Sequence, residues 1–253
     1  MNGVVLKPGE GEALFGGRIV LKADFEQLTI TESFFPDARP GAEAHFHQEH
    51  ADSFYVVEGE LAFLIRDEET PLPENACACA PPELVHGFRS TRTTRFLNFH
   101  TPDGRFADHL RERDRDEPGG FDSIDGSPDD GGRPASDAIA VGPGEGGRLE
   151  GNNRVATIKI GRDELALIEF ELEPGFTGPH PHSHDDHIDS FYVLEGEPEF
   201  LMGEENVRLG PGSFVAAPIG IVHTFSNPGP DRARLLNVHA PSRGFHDWLR
   251  EQS

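Results

Sequence analysis

Cysteine is almost absent from this chain: Cys77 and Cys79, in the stretch ACACA, are the only two. On a strand their spacing puts both on one face, where a mutual disulfide is hard to close, and no second pair exists to complete a thiolate metal site. Both are expected to be small core residues. Basic residues are also scarce, 22 against 45 acidic ones for a net charge of −23. Such a surface repels nucleic-acid phosphates and anionic lipid, so neither nucleic acid nor membrane is an expected partner. No stretch approaches the roughly 18 apolar residues of a membrane span, and the opening MNGVVLKPGEGEALF has no basic segment followed by an apolar one. A cytoplasmic location is the expectation. There is no GxSxG, no phosphate-cradling glycine loop and no lysine in the two histidine-rich stretches described next.

Histidine is plentiful by contrast, and it is written twice. Residues 42–59, AEAHFHQEHADSFYVVEG, and 178–196, GPHPHSHDDHIDSFYVLEG, share the pattern HxHxxHxDSFYVxEG at an offset of 137 residues. Three further blocks repeat in the same order: VVLKPGEGE with IAVGPGEGG, PPELVHGFRS with PIGIVHTFSN, and FLNFHTPDGRFADHLRE with LLNVHAPSRGFHDWLRE. Four matched blocks in one order mean one fold, twice. Ten of the 13 histidines recur in both halves: His45/His182, His47/His184, His50/His187, His86/His223 and His100/His239.

Within each copy the apolar residues alternate with period two in short runs bounded by PG, EG and NPG turns. With 29 Gly and 21 Pro, this pattern predicts many short strands, hence an all-β sandwich or closed barrel in each half. Only GRFADHLRER and RGFHDWLREQ read as short helices, one closing each half. The expected organisation is a domain over 1–115, a linker rich in Gly, Pro and Asp over 116–137, and a second domain over 138–253. A linker of this length either connects or covers a site, and Phe121 and Ile124 give it something to anchor.

On a strand alternate residues face one side, so His45 and His47 project together, as do His182 and His184. Asp52 or Asp189 opens the next strand on the same side, and His86 or His223 arrives from a later one. Three imidazoles and one carboxylate make an N/O site that suits divalent Fe, Mn, Ni, Cu or Zn, one ion per half, with positions left open for a ligand. By parity Phe54, Val56 and Phe88, and likewise Phe191, Val193 and Phe225, are expected to line an apolar pocket beside it.

These residues resemble a known family. HxH, four residues, an acid, six residues and Gly, followed by PxGxxHxxxN, is similar to the two cupin motifs, and the whole chain resembles a bicupin of the quercetin dioxygenase-like branch. The resemblance implies two double-stranded β-helix (jelly-roll) barrels. It implies metal ligands at His182, His184, Asp189 and His223, and at His45, His47, Asp52 and His86. Pro218, Gly220, His223 and Asn227 match the second motif completely, whereas Glu83 and Ser90 replace its Gly and Asn in the first half.

The family's acid is usually Glu; here it is Asp, one methylene shorter. Either Asp reaches the metal, or a three-histidine site remains with His50 or His187 beside the vacated place. Alternatively His50, His187, His100 and His239 support the ligands from behind or line the pocket. No residue is assigned a catalytic role. The implied function is a metal-dependent dioxygenase of a small aromatic or enol-containing compound. A metal-assisted isomerase, cyclase or lyase is the alternative, and a non-catalytic binder of a sugar or similar molecule is a third reading. A small-molecule substrate is the expected partner, and a homodimer is left open.

Overall fold

The protein is described here by a computed structural model covering residues 3–151 and 153–252. Nearly every regular element is an antiparallel strand, and the residues fall into two compact units: Glu12–Gly144, and Met1–Gly11 with Glu145–Ser253.

In the first unit seven strands pair in the order Ile139–Val141, Cys77–Ala80, Ala51–Glu58, Thr94–Thr101, Leu28–Phe35, Ile19–Phe25 and Glu12–Leu14. A second sheet is built from Ile124–Asp125, His45–Phe46, His86–Ser90, Glu60–Ile65 and Glu68–Pro73. Phe54, Val56 and Phe96 from the first sheet meet Leu61, Phe63 and Leu72 from the second in one core. Each fully buried side chain of this size stabilises the fold by roughly 1.5–3 kcal/mol. The second unit repeats this plan. Its large sheet runs Val4–Leu6, Phe214–Ala217, Ile188–Glu195, Ala233–Ala240, Ala166–Leu172, Arg154–Gly161 and Gly147–Gly151, facing a smaller sheet of Glu205–Arg208, Glu199–Met202 and His223–Ser226. Phe170, Phe191, Val193 and Val215 pack there against Phe200, Met202 and Phe225. The sheets are open rather than closed by a continuous ladder, and each unit is a double-sheet jelly roll.

The units divide elsewhere than at the expected 115 and 138. Each large sheet takes its edge strand from the opposite copy of the first repeated block: Val4–Leu6 pairs with Phe214–Ala217, and Ile139–Val141 with Cys77–Ala80. Both pairs cover an otherwise unpaired edge, which is the physical reason the short VVL and IAV runs dock where they do. Cys77 and Cys79 are buried in that edge region and not disulfide-bonded.

The two short helices form as expected, Phe106–Asp114 and Phe245–Glu251, each entered through a left-handed residue, Arg105 or Gly244. Among the described residues no helix is long and apolar enough to cross a membrane.

Candidate metal centre

Strand parity carries the site. Asp52, Phe54 and Val56 share one face of Ala51–Glu58, so the strand that drives two apolar side chains into the core turns a carboxylate inward at its first turn. Asp189, Phe191 and Val193 do the same on Ile188–Glu195. His45 lies directly across from His86, and His182 from His223, as cross-strand partners.

In the first unit the ring nitrogens of His45, His47 and His86 and a carboxylate oxygen of Asp52 lie within 4.8 Å of one another, all four residues buried. His86 Nε2 is 3.2 Å and His47 Nε2 3.8 Å from Asp52 Oδ2. In the second unit His182, His184, His223 and Asp189 meet within the same limit, with His223 Nε2 at 2.9 Å and His184 Nε2 at 3.8 Å from Asp189 Oδ2. The structure therefore brings both expected ligand sets together, the aspartates included.

Hydrogen bonds to outer groups orient most members of the two sets. His45 Nδ1 donates to the Glu43 carbonyl and His86 Nδ1 to that of Leu84, each at 2.8 Å. His182 and His223 donate likewise to the carbonyls of His180 and Ile221, each at 2.9 Å. With the proton on Nδ1, each Nε2 lone pair faces the centre. Asn98 Nδ2 donates to Asp52 Oδ1 and Asn237 Nδ2 to Asp189 Oδ1, both at 2.5 Å, which leaves Oδ2 turned to the imidazoles.

His47 Nε2 and His184 Nε2 are buried without a hydrogen-bond partner. An orphaned buried acceptor costs about 1–3 kcal/mol, and a cation bound at the centre removes that cost. Three neutral nitrogens and one carboxylate oxygen fit a divalent transition metal.

Charges follow burial. Burial drives the His45 imidazole down to about 4, with the neighbouring His86 and His47 adding to the shift. Burial would raise Asp52, but its interactions with His100, His47 and His86 hold it well below the carboxylate range. Asp189 is lowered by the matching partners, His239, His184 and His223. His223 moves the other way: burial lowers it, but its bond to the ionised Asp189 prevails and raises it.

The remaining paired histidines stand one layer out. His50 stacks on His47 with centroids 3.9 Å apart and planes 25° from parallel, and His187 on His184 at 3.9 Å and 28°. His47, His50 and His100 also bring ring nitrogens within 4.8 Å, as do His184, His187 and His239. Imidazole lone pairs lie in the ring plane, so two nearly parallel stacked rings present them in separate planes and suit one shared ion poorly. The primary rings cross more steeply, His45 and His47 at 73° and His47 and His86 at 60°. His100 stacks on Phe106 at 3.6 Å and His239 on Phe245 at 3.6 Å, so the first residue of each short helix clamps the imidazole opposite the aspartate. His180 is exposed and offers only its carbonyl.

Of the expected wall, Phe88 and Phe225 do line the cavities, of about 760 Å³ in the first unit and 530 Å³ in the second. Phe54, Val56, Phe191 and Val193 do not: they share the ligand face, but further along the strand that face is sealed into the cores, and each is at most 1% exposed.

Sequence reasoning missed Asp122. From the linker, its carboxylate accepts from the backbone of Gln48 at 2.8 Å and Glu49 at 2.6 Å and from His50 Nδ1 at 3.1 Å, and its carbonyl accepts from His47 Nδ1. Phe121 beside it lies 5.6 Å from the His47 ring and 4.4 Å from His109. The only hint was the isolated Phe121 and Ile124 in a polar linker; Ile124–Asp125 indeed pairs with His45–Phe46.

The cupin domain family matches residues 35–100 and 168–239. Among solved structures the chain is similar to AerE from Microcystis aeruginosa at 14% identity, over 94% of this chain and 98% of that one, with a TM-score of 0.62. It is similar to a salicylate 1,2-dioxygenase from Pseudaminobacter salicylatoxidans at 12% identity, over 88% and 74%, with a TM-score of 0.61. Oxalate decarboxylase from Bacillus subtilis aligns at 16% identity, over 85% and 68%, with a TM-score of 0.54. At these identities the likeness is one of fold. No curated protein matches the chain. The family matches, one per half, together cover more than half of the sequence, and the chain belongs to the cupin domain family, with two cupin repeats.

Proposed function

We propose that this protein is a metal-dependent dioxygenase acting on a small aromatic or enol-type compound, with one divalent transition metal held in each repeat by His45, His47, Asp52 and His86 and by His182, His184, Asp189 and His223. The observation that carries the reading is the convergence of three imidazoles and one ionised carboxylate beside an aromatic-walled cavity. A bound metal of this N/O class supplies open coordination positions and redox capacity.

The chain's own part is positioning and proton handling. Phe170, Phe176 and Phe225 form a wall of the second cavity that excludes water around a flat ligand. Asp189 stays ionised, and its Oδ2 is the basic atom nearest the site for the proton of an incoming hydroxyl, while Asn237 keeps Oδ1 engaged. That a salicylate dioxygenase shares the fold is consistent with this chemistry, and oxalate decarboxylase shows that the fold also serves other reactions.

The test is metal analysis of the purified chain followed by oxygen uptake with flavonols, β-diketones and hydroxylated aromatics. Stoichiometric uptake with one substrate class supports the reading. A redox-inactive metal content, or no uptake from a metal-replete protein, refutes it; turnover of the same compounds under nitrogen would point instead to the isomerase or lyase alternative.

A further inference from the structure

Arginines in the second unit pair with carboxylates almost without exception. Arg148, Arg162, Arg232, Arg234, Arg243 and Arg250 each have a carboxylate oxygen within 4.0 Å. That is what a chain of net charge −23 should show, since acidic partners are everywhere. Among the described residues of this unit two arginines have no ion pair. Arg208 is solvent-exposed on Glu205–Arg208. Arg154 is not: it is half-buried, and it lines the same cavity as His182, His184 and Asp189.

Arg154 opens the strand Arg154–Gly161, and its guanidinium carbon sits 5.6 Å from the centre of the Phe170 ring. A ring face beneath a guanidinium orients its plane and leaves the N–H fork free for a second partner. Asp189 is the only acid lining this cavity among the described residues, and it is already engaged by His223 and Asn237. Desolvation without a compensating acid lowers the Arg154 side chain from its ordinary range. Holding a cation half-buried and unpaired costs free energy, and an anionic ligand would offset that cost. The first repeat differs: Arg18, which precedes the strand Ile19–Phe25 and lies 5.7 Å over Phe15, is exposed, and the first cavity that it lines also holds Glu43 and Asp125.

From these contacts we infer that the second cavity is selective for small carboxylates with a flat apolar body, the carboxylate meeting the Arg154 guanidinium while the body lies among Phe170, Phe176 and Phe225. This deepens the functional reading above by naming its substrate class, and it rests on the same cavity. Guanidinium recognises carboxylate through two parallel N–H···O bonds, which a neutral amide of the same shape cannot match. Trp248, half-exposed in the wall of the same cavity, provides an intrinsic optical reporter. It is the only tryptophan in the chain.

The test uses the full metal-loaded chain under nitrogen, so that no turnover is required. Binding of benzoate and of its neutral isostere benzamide is followed by Trp248 fluorescence and by calorimetry, with metal content measured on the same samples. Benzoate is expected to bind at least tenfold more tightly than benzamide. Arg154→Gln should weaken benzoate at least tenfold and leave benzamide unchanged, Arg154→Lys should recover part of the loss, and Arg208→Gln should change neither. Equal binding of the two probes by the parent chain overturns the inference. So does no benzoate binding at millimolar concentration, or unchanged benzoate binding by an Arg154→Gln protein that keeps its metal. The benzoate–benzamide comparison needs no variant and survives a folding defect in any of them. Arg154-dependent carboxylate binding without oxygen uptake from any substrate would sink the dioxygenase reading and leave this inference standing.

Discussion

The two repeats hold the same three histidines and one aspartate, yet their surroundings differ. In the first, all four of these residues are buried, and Phe121 and Asp122 reach over from the linker to cap His47 and His50. In the second, His182 and His184 are half-buried, and His187 donates instead to its exposed neighbour Asp186 at 2.9 Å. The turn before the last histidine differs too. Gly220 and Glu83 both adopt left-handed backbone, φ +82° and +66°, and both donate an N–H to the second histidine of the HxH pair, at 2.8 and 2.6 Å. The first repeat thus makes the glycine turn without glycine. Its Glu83 carbonyl accepts from the backbone of Gly132 and Arg133, so the linker also braces the strained turn. The shared geometry of the two clusters comes from strand pairing, and accessibility comes from what the following chain lays over it.

The largest expected effect treats the repeats alike. His184→Ala should remove about half of the bound metal and His47→Ala with His184→Ala nearly all of it, as measured by elemental analysis. Full retention by the double variant would refute the ligand assignment.

Acid should then separate them. In the metal-free protein His45 and His50 are held down to about 4 by burial first and neighbouring imidazoles second, against about 6.5 in an unfolded chain. Below pH ~6.5 the unfolded state takes up protons that the folded first repeat refuses until about 4, so stability falls as pH drops through that window. His223 has the opposite sign: its raised value contributes stability that is fully present below ~6.5 and lost as pH rises through the folded value. His239, lowered to about 3 by burial, and His182 and His187, also lowered by burial, limit that gain. Hydrogen exchange at pH 7 and pH 5 should show the first repeat losing more protection than the second; equal losses would break the comparison.

Smaller is the expected effect of Asp122→Ala, which removes the carboxylate that holds His50 and the loop after His47. Loss of such an outer contact typically costs 10–100-fold in metal affinity. Competition with a chelator should show that loss in one of two sites. A change in both, or in neither, would remove the special role of the linker. The smallest effect belongs to Glu83→Gly, which should raise stability by about 1 kcal/mol through relief of left-handed strain, with Gly220→Glu lowering it by a similar amount. Chemical denaturation of the metal-free variants measures both.

Much of this was legible before any coordinates, for local reasons. Alternation along DSFYVVE and DSFYVLE predicts strands and puts Asp52 and Asp189 on the inward face, and HxH places two imidazoles side by side, because side-chain direction on a strand follows parity alone. The departure at Glu83 was readable as an atypical turn because glycine's use there is a matter of backbone sterics within a few residues.

The same parity reasoning overreached at Phe54, Val56, Phe191 and Val193. Facing inward is a property of the strand, but whether that interior is open or filled depends on Phe63, Phe96, Phe200 and Phe225 arriving from other strands. Tertiary structure alone decided which copy of VVL or IAV completes which sheet, since two similar edge segments compete for two similar edges. It alone brought Asp122 to His47 across a sequence separation of 75, and left Arg154 beside a cavity without an acid to pair with it. Long-range pairing sets these features, and no local pattern encodes where a distant segment will pack.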